Sequence, residues 1–257
     1  MKTLTVLFSL LLLISCNQGQ KQKEPQWVSL FNGKDLNGWD IKIAKHPLNE
    51  NYANMFRVEN GVLKVSYDQI DSFRGEFGHL YYKQKFSKYK LRVEYRFVGE
   101  QCPGGPDWAI RNSGIMFHSQ SAESVGLNQD FPVSIEAQFL GGLGKGERPT
   151  LSVCTPGTDV DILGTMAPDH CTSSSSKTFD GDQWVTAEIV VYGDSIIHHL
   201  VNGDTVMTYT RPRVGPAMKP EGYPVPDGNP LKDGYFALQA ESNPVEFRKV
   251  EIMDLSK

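Results

Sequence analysis

Apolar and polar residues alternate with a period of two in one segment of the chain after another, the spacing of strands that bury a single face. In 90–98, Leu91, Val93, Tyr95 and Phe97 alternate with Arg92, Glu94 and Arg96. In 133–140, Val133, Ile135, Ala137 and Phe139 alternate with Ser134, Glu136 and Gln138. Segments 184–192 and 195–201 read as strands joined across Gly193-Asp194, and Asn202-Gly203 then turns the chain into 205–209; both junctions are hairpin signals. Segments 235–240 and 247–253 supply the last strands. No long stretch carries helical periodicity, while 24 Gly and 15 Pro punctuate the chain, as many strands and many turns require. Two connections, 99–111 and 141–179, exceed simple hairpins and are expected to be functional or disulfide-tied loops. The pattern predicts an all-β sandwich or jelly roll in one domain over residues 27–257, with no internal repeat.

The same alternation defines a polar sheet face. In 113–119, Ile115 and Phe117 point one way while Met116 and His118 point the other. Glu136 and Gln138 oppose Ile135, Ala137 and Phe139, and Gln239 and Glu241 oppose Phe236, Leu238 and Ala240. If these strands share a sheet, His118, Glu136, Gln138, Gln239 and Glu241 line one face. Every sandwich has a solvated outer face, so this row is either that or a binding face. Its content of amides and an imidazole is unusual for plain solvated surface, which favours Lys, Thr and Glu.

The length of 257 residues and an aromatic content of 11% suffice to fill a core. With 26 Lys+Arg against 30 Asp+Glu the net charge is −4, with no basic stripe, which excludes nucleic acid as the expected partner. Residues 1–15 form a targeting segment: Lys2 is followed by an apolar run to Ile14, too short for a spanning anchor. It ends Leu13-Ile14-Ser15-Cys16, which resembles the lipobox of bacterial lipoproteins. Cys16 is therefore the expected lipidation site, residues 16–26 a polar tether, and the cell envelope, periplasmic or at the cell surface, the expected location.

Export changes the reading of the cysteines. With Cys16 lipidated, Cys102, Cys154 and Cys171 remain. Cys154 and Cys171 bound a Pro/Gly-rich stretch and are expected to form a disulfide, leaving Cys102 as a buried or free thiol. A Cys/His zinc site that recruits His170 is the rival, but the spacing fits no zinc ribbon.

Several short motifs occur in order along the chain. They are Trp-Val-Ser-Leu-Phe-Asn-Gly-Lys-Asp-Leu-Asn-Gly-Trp over 27–39, Phe-Arg-Val-Glu-Asn-Gly-Val-Leu over 56–63, Leu-Arg-Val-Glu-Tyr-Arg-Phe over 91–97, Asn-Ser-Gly-Ile over 112–115, Ser-Ile-Glu-Ala-Gln over 134–138, Asp-Gln-Trp-Val over 182–185, Val-Asn-Gly over 201–203 and Gly-Tyr-Phe-Ala-Leu-Gln over 234–239. Together they resemble the bacterial 3-keto-disaccharide hydrolase family across nearly the whole chain after the tether. The resemblance implies a concanavalin-like jelly roll with a site on the concave face, where Asn112, His118, Glu136 and Gln138 fall. There is one departure. Many members carry Gln, any residue, His, Gly where this chain reads Gln239-Ala240-Glu241-Ser242, so Glu241 stands at the His position. That puts in doubt any mechanism requiring imidazole there.

Cleavage of a 3-keto sugar by elimination needs a base for the acidified C2 proton, an acid near the leaving oxygen and a donor at the ketone. Glu136 or Glu241 are the candidate bases and His118 the candidate acid or second base. Arg111 and Gln138 are candidates for holding carbonyl and hydroxyl oxygens, with Asn112 and Gln239 beside them. Trp108 is as suited to stacking on a sugar as to packing its own loop, whereas Trp39 reads as core. Arg111 is alternatively an ion-pair partner of Glu136 or Asp107. No cofactor is required, although His118 and Glu136 with a water could hold a divalent metal. His198 and His199 point to opposite faces and cannot share an ion. Two further readings remain open: a conventional two-carboxylate glycoside hydrolase and a carbohydrate-binding module without catalysis.

Overall fold

The computed structural model describes residues 24–256; the expected targeting segment, the expected lipidation site Cys16 and most of the expected tether lie outside them. Two antiparallel sheets pack face to face. One has seven strands in the order Cys171–Thr172, Ser152–Cys154, Ile135–Leu140, Asn112–Ser119, Tyr235–Ala240, Gly78–Tyr82, Trp39–Ile43. The other has ten, with Lys88–Phe97 near its middle between Val185–Tyr192 and Val245–Asp254. Both sheets mix hairpin neighbours with non-sequential ones, the latter being the crossovers of a jelly roll.

The alternation places the core. Leu91, Val93, Tyr95 and Phe97 face inward from one sheet, and Ile135, Ala137, Phe139, Phe236 and Leu238 face them from the other, all buried. Tyr95 and Phe139 stack across the interface with ring centroids 4.0 Å apart and planes 2° from parallel; such a contact contributes about 1 kcal/mol beyond area burial. Trp39 is core, as expected, with its indole N–H donating to the Leu30 carbonyl. His199 is structural: fully buried, it donates through Nδ1 to the Leu151 carbonyl and accepts the Tyr209 hydroxyl at Nε2.

The hairpin 185–201 forms as the pattern predicts, and Asn202 and Gly203 turn the chain on into the next strand with φ of 51° and 95°, the two positive angles of a tight hairpin turn. Two expectations are corrected. The strand after this turn runs from Asp204 to Val214, through Pro212, well beyond 205–209. The segment 141–179 is not one long loop. It contains Ser152–Cys154, Thr158–Ile162, Thr165–Met166 and Cys171–Thr172, which extend both sheets. These strands are two to five residues long, too short for periodicity to register.

Cys154 and Cys171 are joined as the sequence led us to expect, and they sit directly opposite each other on paired strands. Cys102 is a buried free thiol. The disulfide closes a 17-residue separation, which in the chain-entropy account contributes about 3 kcal/mol. The Cys154→Ser, Cys171→Ser double variant should therefore unfold at a lower urea midpoint by roughly that free energy, with secondary structure retained in the native baseline.

Candidate active site

The outer face of the seven-stranded sheet carries a cleft of about 340 Å³. Register explains who lines it. Glu136 lies opposite Met116 on one side and Cys154 on the other, and Gln138 lies opposite Gly114 and Ser152. Glu136, Gln138 and the disulfide thus share one face, while Ile135, Ala137 and Phe139 go to the core. Asn112 enters from the start of its strand, and Glu241 from the residue after Tyr235–Ala240. Trp108 comes from the short turn Asp107–Ala109, and Phe131, Pro156, His170 and Met218 from loops.

Gly114 makes room for the carboxyl. A Cβ there would stand 2.8 Å from Glu136 Oε1, so only glycine lets the carboxyl lie flat over its strand. Glu136 is 6% exposed and Glu241 3%. Each keeps one carboxyl oxygen without a hydrogen-bond partner in the protein, as do Asn112 at Oδ1, Gln239 at both amide atoms and His79 at Nε2. Buried polar atoms are ordinarily paired, so this concentration marks a place shaped for a polar ligand.

Burial pushes the Glu136 carboxyl up to about 8. Glu241 is raised well above the ordinary carboxyl value, first by burial and then by the neighbouring Glu136 charge. Two carboxyls that repel each other in a desolvated site share a proton over a wide pH range. As pH rises toward about 8, Glu136 loses its proton first while Glu241 keeps its own, and the pair then presents one base and one acid.

Of the residues expected on this face, the structure brings together Glu136, Gln138, Glu241, Asn112 and Trp108 around the cleft. Gln239 lies beneath it, fully buried and in register with His79. Two expectations fail. His118 leaves the face: between Met116 and Ser119 the strand carries one extra residue relative to its Tyr235–Ala240 partner, and His118 has φ 47°. The bulge shifts the alternation by one. The imidazole is buried at the far side, donating through Nε2 to the Gly193 carbonyl at 3.0 Å, and burial lowers its pKa. The four-residue constellation with His118 therefore does not form, nor does the His118–Glu136 metal pair. Among the described residues no three His, Cys, Asp or Glu side chains gather as a metal centre. Arg111 also turns away. Its guanidinium bonds the Gly181 carbonyl and pairs with Asp182 at 3.3 Å, so neither Glu136 nor Asp107 is its partner.

Sequence reasoning missed His79, Phe131, Pro156 and Met218. The alternation of His79 and Tyr81 with Leu80 and Tyr82 in the Gly78–Tyr82 strand was the available signal for the first. The loop residues carry no local signal.

A two-sheet sandwich with a carboxyl cleft on one outer face is a concanavalin-like jelly roll of carbohydrate-active type. The chain belongs to the family of 3-keto-alpha-glucoside-1,2-lyase-like domains, which it matches over residues 26–253. Two crystal structures from Parabacteroides distasonis ATCC 8503, both provisionally described as glycosyl hydrolases, share the fold. One has a TM-score of 0.52 at 19% identity over 90% of this chain and 94% of that chain. The other has a TM-score of 0.52 at 16% identity over 90% and 100%. No curated protein matches the chain in sequence.

The raised carboxyls have a consequence for stability. Between the unfolded carboxyl value of 4.5 and the folded value of about 8 for Glu136, the folded state retains a proton that the unfolded state has released. Stability from this group is thus fully present below 4.5 and falls as pH rises toward 8. Glu136→Gln removes that loss. It should be more stable than the parent at pH 8 by on the order of a few kcal/mol, with the difference nearly gone at pH 4.5, as read from urea midpoints at the two pH values.

Proposed function

We propose that the protein cleaves 3-keto-glycosides by elimination across C1 and C2, with Glu136 as base and Glu241 as acid. The observation that carries this reading is the pair of buried carboxyls, each with an oxygen unpartnered, in the cleft of a chain whose family is described by 1,2-lyase chemistry. Glu241 is held protonated more strongly than Glu136, so Glu136 loses its proton first as pH rises toward about 8 and is the group that acts as base. Glu136 takes the C2 proton, and the electron pair of that bond forms the C1–C2 double bond as the C1–O1 bond breaks. The leaving oxygen takes the Glu241 proton. The ketone at C3 stabilises the carbanion as an enolate, with the Gln138 amide a donor to that oxygen. Water adding later at C1 completes a net hydrolysis. Asn112 offers its unpaired Oδ1 to a sugar hydroxyl.

The exported, lipid-anchored state belongs to the same proposal. It rests on the Leu13-Ile14-Ser15-Cys16 sequence and places the cleft in the cell envelope, on substrate arriving from outside. Cys16→Ala should move the protein from the membrane fraction to the soluble fraction of the producing cell.

The decisive measurement compares 3-keto methyl α-glucoside with methyl α-glucoside. The keto substrate should turn over and the plain glucoside should not, and Glu136→Gln should lower kcat by about 10²–10⁴-fold. Equal turnover of the plain glucoside would identify a conventional two-carboxylate hydrolase. Binding of both with turnover of neither would identify a binding module.

A further inference from the structure

The cleft continues beyond the carboxyl pair. Phe131 and Met218 line both the cleft and an adjoining groove of about 480 Å³, which runs on past Gln129, Asp130 and Pro220. The two ends of this hollow differ in chemistry. The inner end holds the unpartnered polar atoms of Glu136, Glu241 and Asn112. At the outer end the Gln129 amide is already engaged. Its Nε2 donates to Gln120 Oε1 at 3.1 Å and to the Phe131 carbonyl at 2.8 Å, and its Oε1 accepts the Gly126 N–H at 3.0 Å.

What borders the junction of the two ends is a set of rings. Trp108 lies 13° from parallel to Phe77 at 5.8 Å between centroids, and Phe131 packs 4.9 Å from Phe77 and 6.3 Å from Trp108. Phe77 is buried, and it backs a Trp108 that remains 51% exposed; Met218 is likewise 51% exposed. With Gln129 engaged, Asn128 and Asp130 are the polar side chains of the groove left to pair with the several hydroxyls of a second sugar, and the hydroxyls left unpaired against Phe131, Met218 and Pro220 would be costly. A planar ring would stack on the wall and displace water from apolar surface.

We propose that the outer groove receives an aromatic aglycone, so that the favoured substrates are 3-keto-α-glucosides of phenolic alcohols rather than 3-keto-disaccharides. The proposal rests on the keto-sugar reading above and adds the leaving group to it. The sugar ring lies against Glu136 and Glu241, and the aglycone ring lies between Trp108, Phe131 and Met218. On elimination the C1–O1 electron pair stays with the phenolic oxygen, which takes the Glu241 proton and leaves as the phenol. Asp130, the acid at the groove, is pushed upward by partial burial and opposed by Lys45. It has no part in the step.

Phenolates are better leaving groups than alkoxides, so rates alone would confuse chemistry with binding. The test is equilibrium binding to the slow Glu136→Gln protein by calorimetry. The probes are the 3-keto derivatives of 4-nitrophenyl α-glucoside, methyl α-glucoside and maltose. The nitrophenyl compound should bind at least about tenfold more tightly than the other two. Trp108→Ala in the same background should erase most of that preference. Phe131→Leu, which keeps apolar volume but removes the ring, should reduce it. Equal binding of all three probes would overturn the aromatic aglycone while leaving the keto-sugar reading intact. Tightest binding of 3-keto-maltose would make the groove a second sugar subsite and also overturn it. Binding of none of the three would overturn both readings.

Discussion

Holding Glu136 and Glu241 side by side, out of water, is costly for the ionised pair, and much of the local architecture bears on that cost. Neither carboxyl has a cationic partner among the described residues. Arg111, the cation the sequence offered as a partner, is engaged by Gly181 and Asp182 instead. The pair therefore resolves its repulsion by keeping protons, and the loss of the Glu136 proton as pH rises toward about 8 gives the state with one base and one acid. An arginine in the cleft would have stabilised two carboxylates and removed the acid.

Such a site requires stiff surroundings, because a mobile carboxyl would rotate out toward solvent. The sandwich core supplies this from behind. Glu136 stands on a strand whose alternate residues Ile135, Ala137 and Phe139 are fully buried, with Phe139 stacked on Tyr95 of the opposite sheet. From the sides, Gly114 leaves the space the carboxyl fills and the Cys154–Cys171 disulfide forms the adjacent wall. A disulfide expected only to pin a loop is thus part of the cleft surface itself. The same rigidity bears on how substrate is held, since the preorganised wall of Trp108, Phe77 and Phe131 needs little rearrangement to meet a flat group.

The fate of His118 shows how narrow the margin is in a sheet. One extra residue in the Asn112–Ser119 strand moves the imidazole from the cleft face to the Gly193 turn of the other sheet, while Asn112 and Gly114, which precede the bulge, keep their side. With Glu241 where the family resemblance led us to expect histidine, the buried titrating pair of the cleft is two carboxyls. His79, on the neighbouring strand, is the nearest buried imidazole in register with Gln239, and burial with the adjacent Lys42 charge holds it neutral, its pKa down to about 3.

By itself the sequence determined the all-β class, the inward rows of the long strands, the disulfide partners and the side of the sheet on which Glu136, Gln138 and Glu241 stand. These follow from period-two alternation and from chemistry local to each segment, and nothing distant alters them. Tertiary structure alone decided three other things. It set the bulge that removed His118, because a register shift is a property of two paired strands and leaves no mark on one. It sent Arg111 to Asp182, because the nearer of several competing acids is chosen by loop path rather than by spacing. And it assembled Phe131, Pro156 and Met218 beside Trp108, since residues far apart along the chain share a wall only once both sheets have closed.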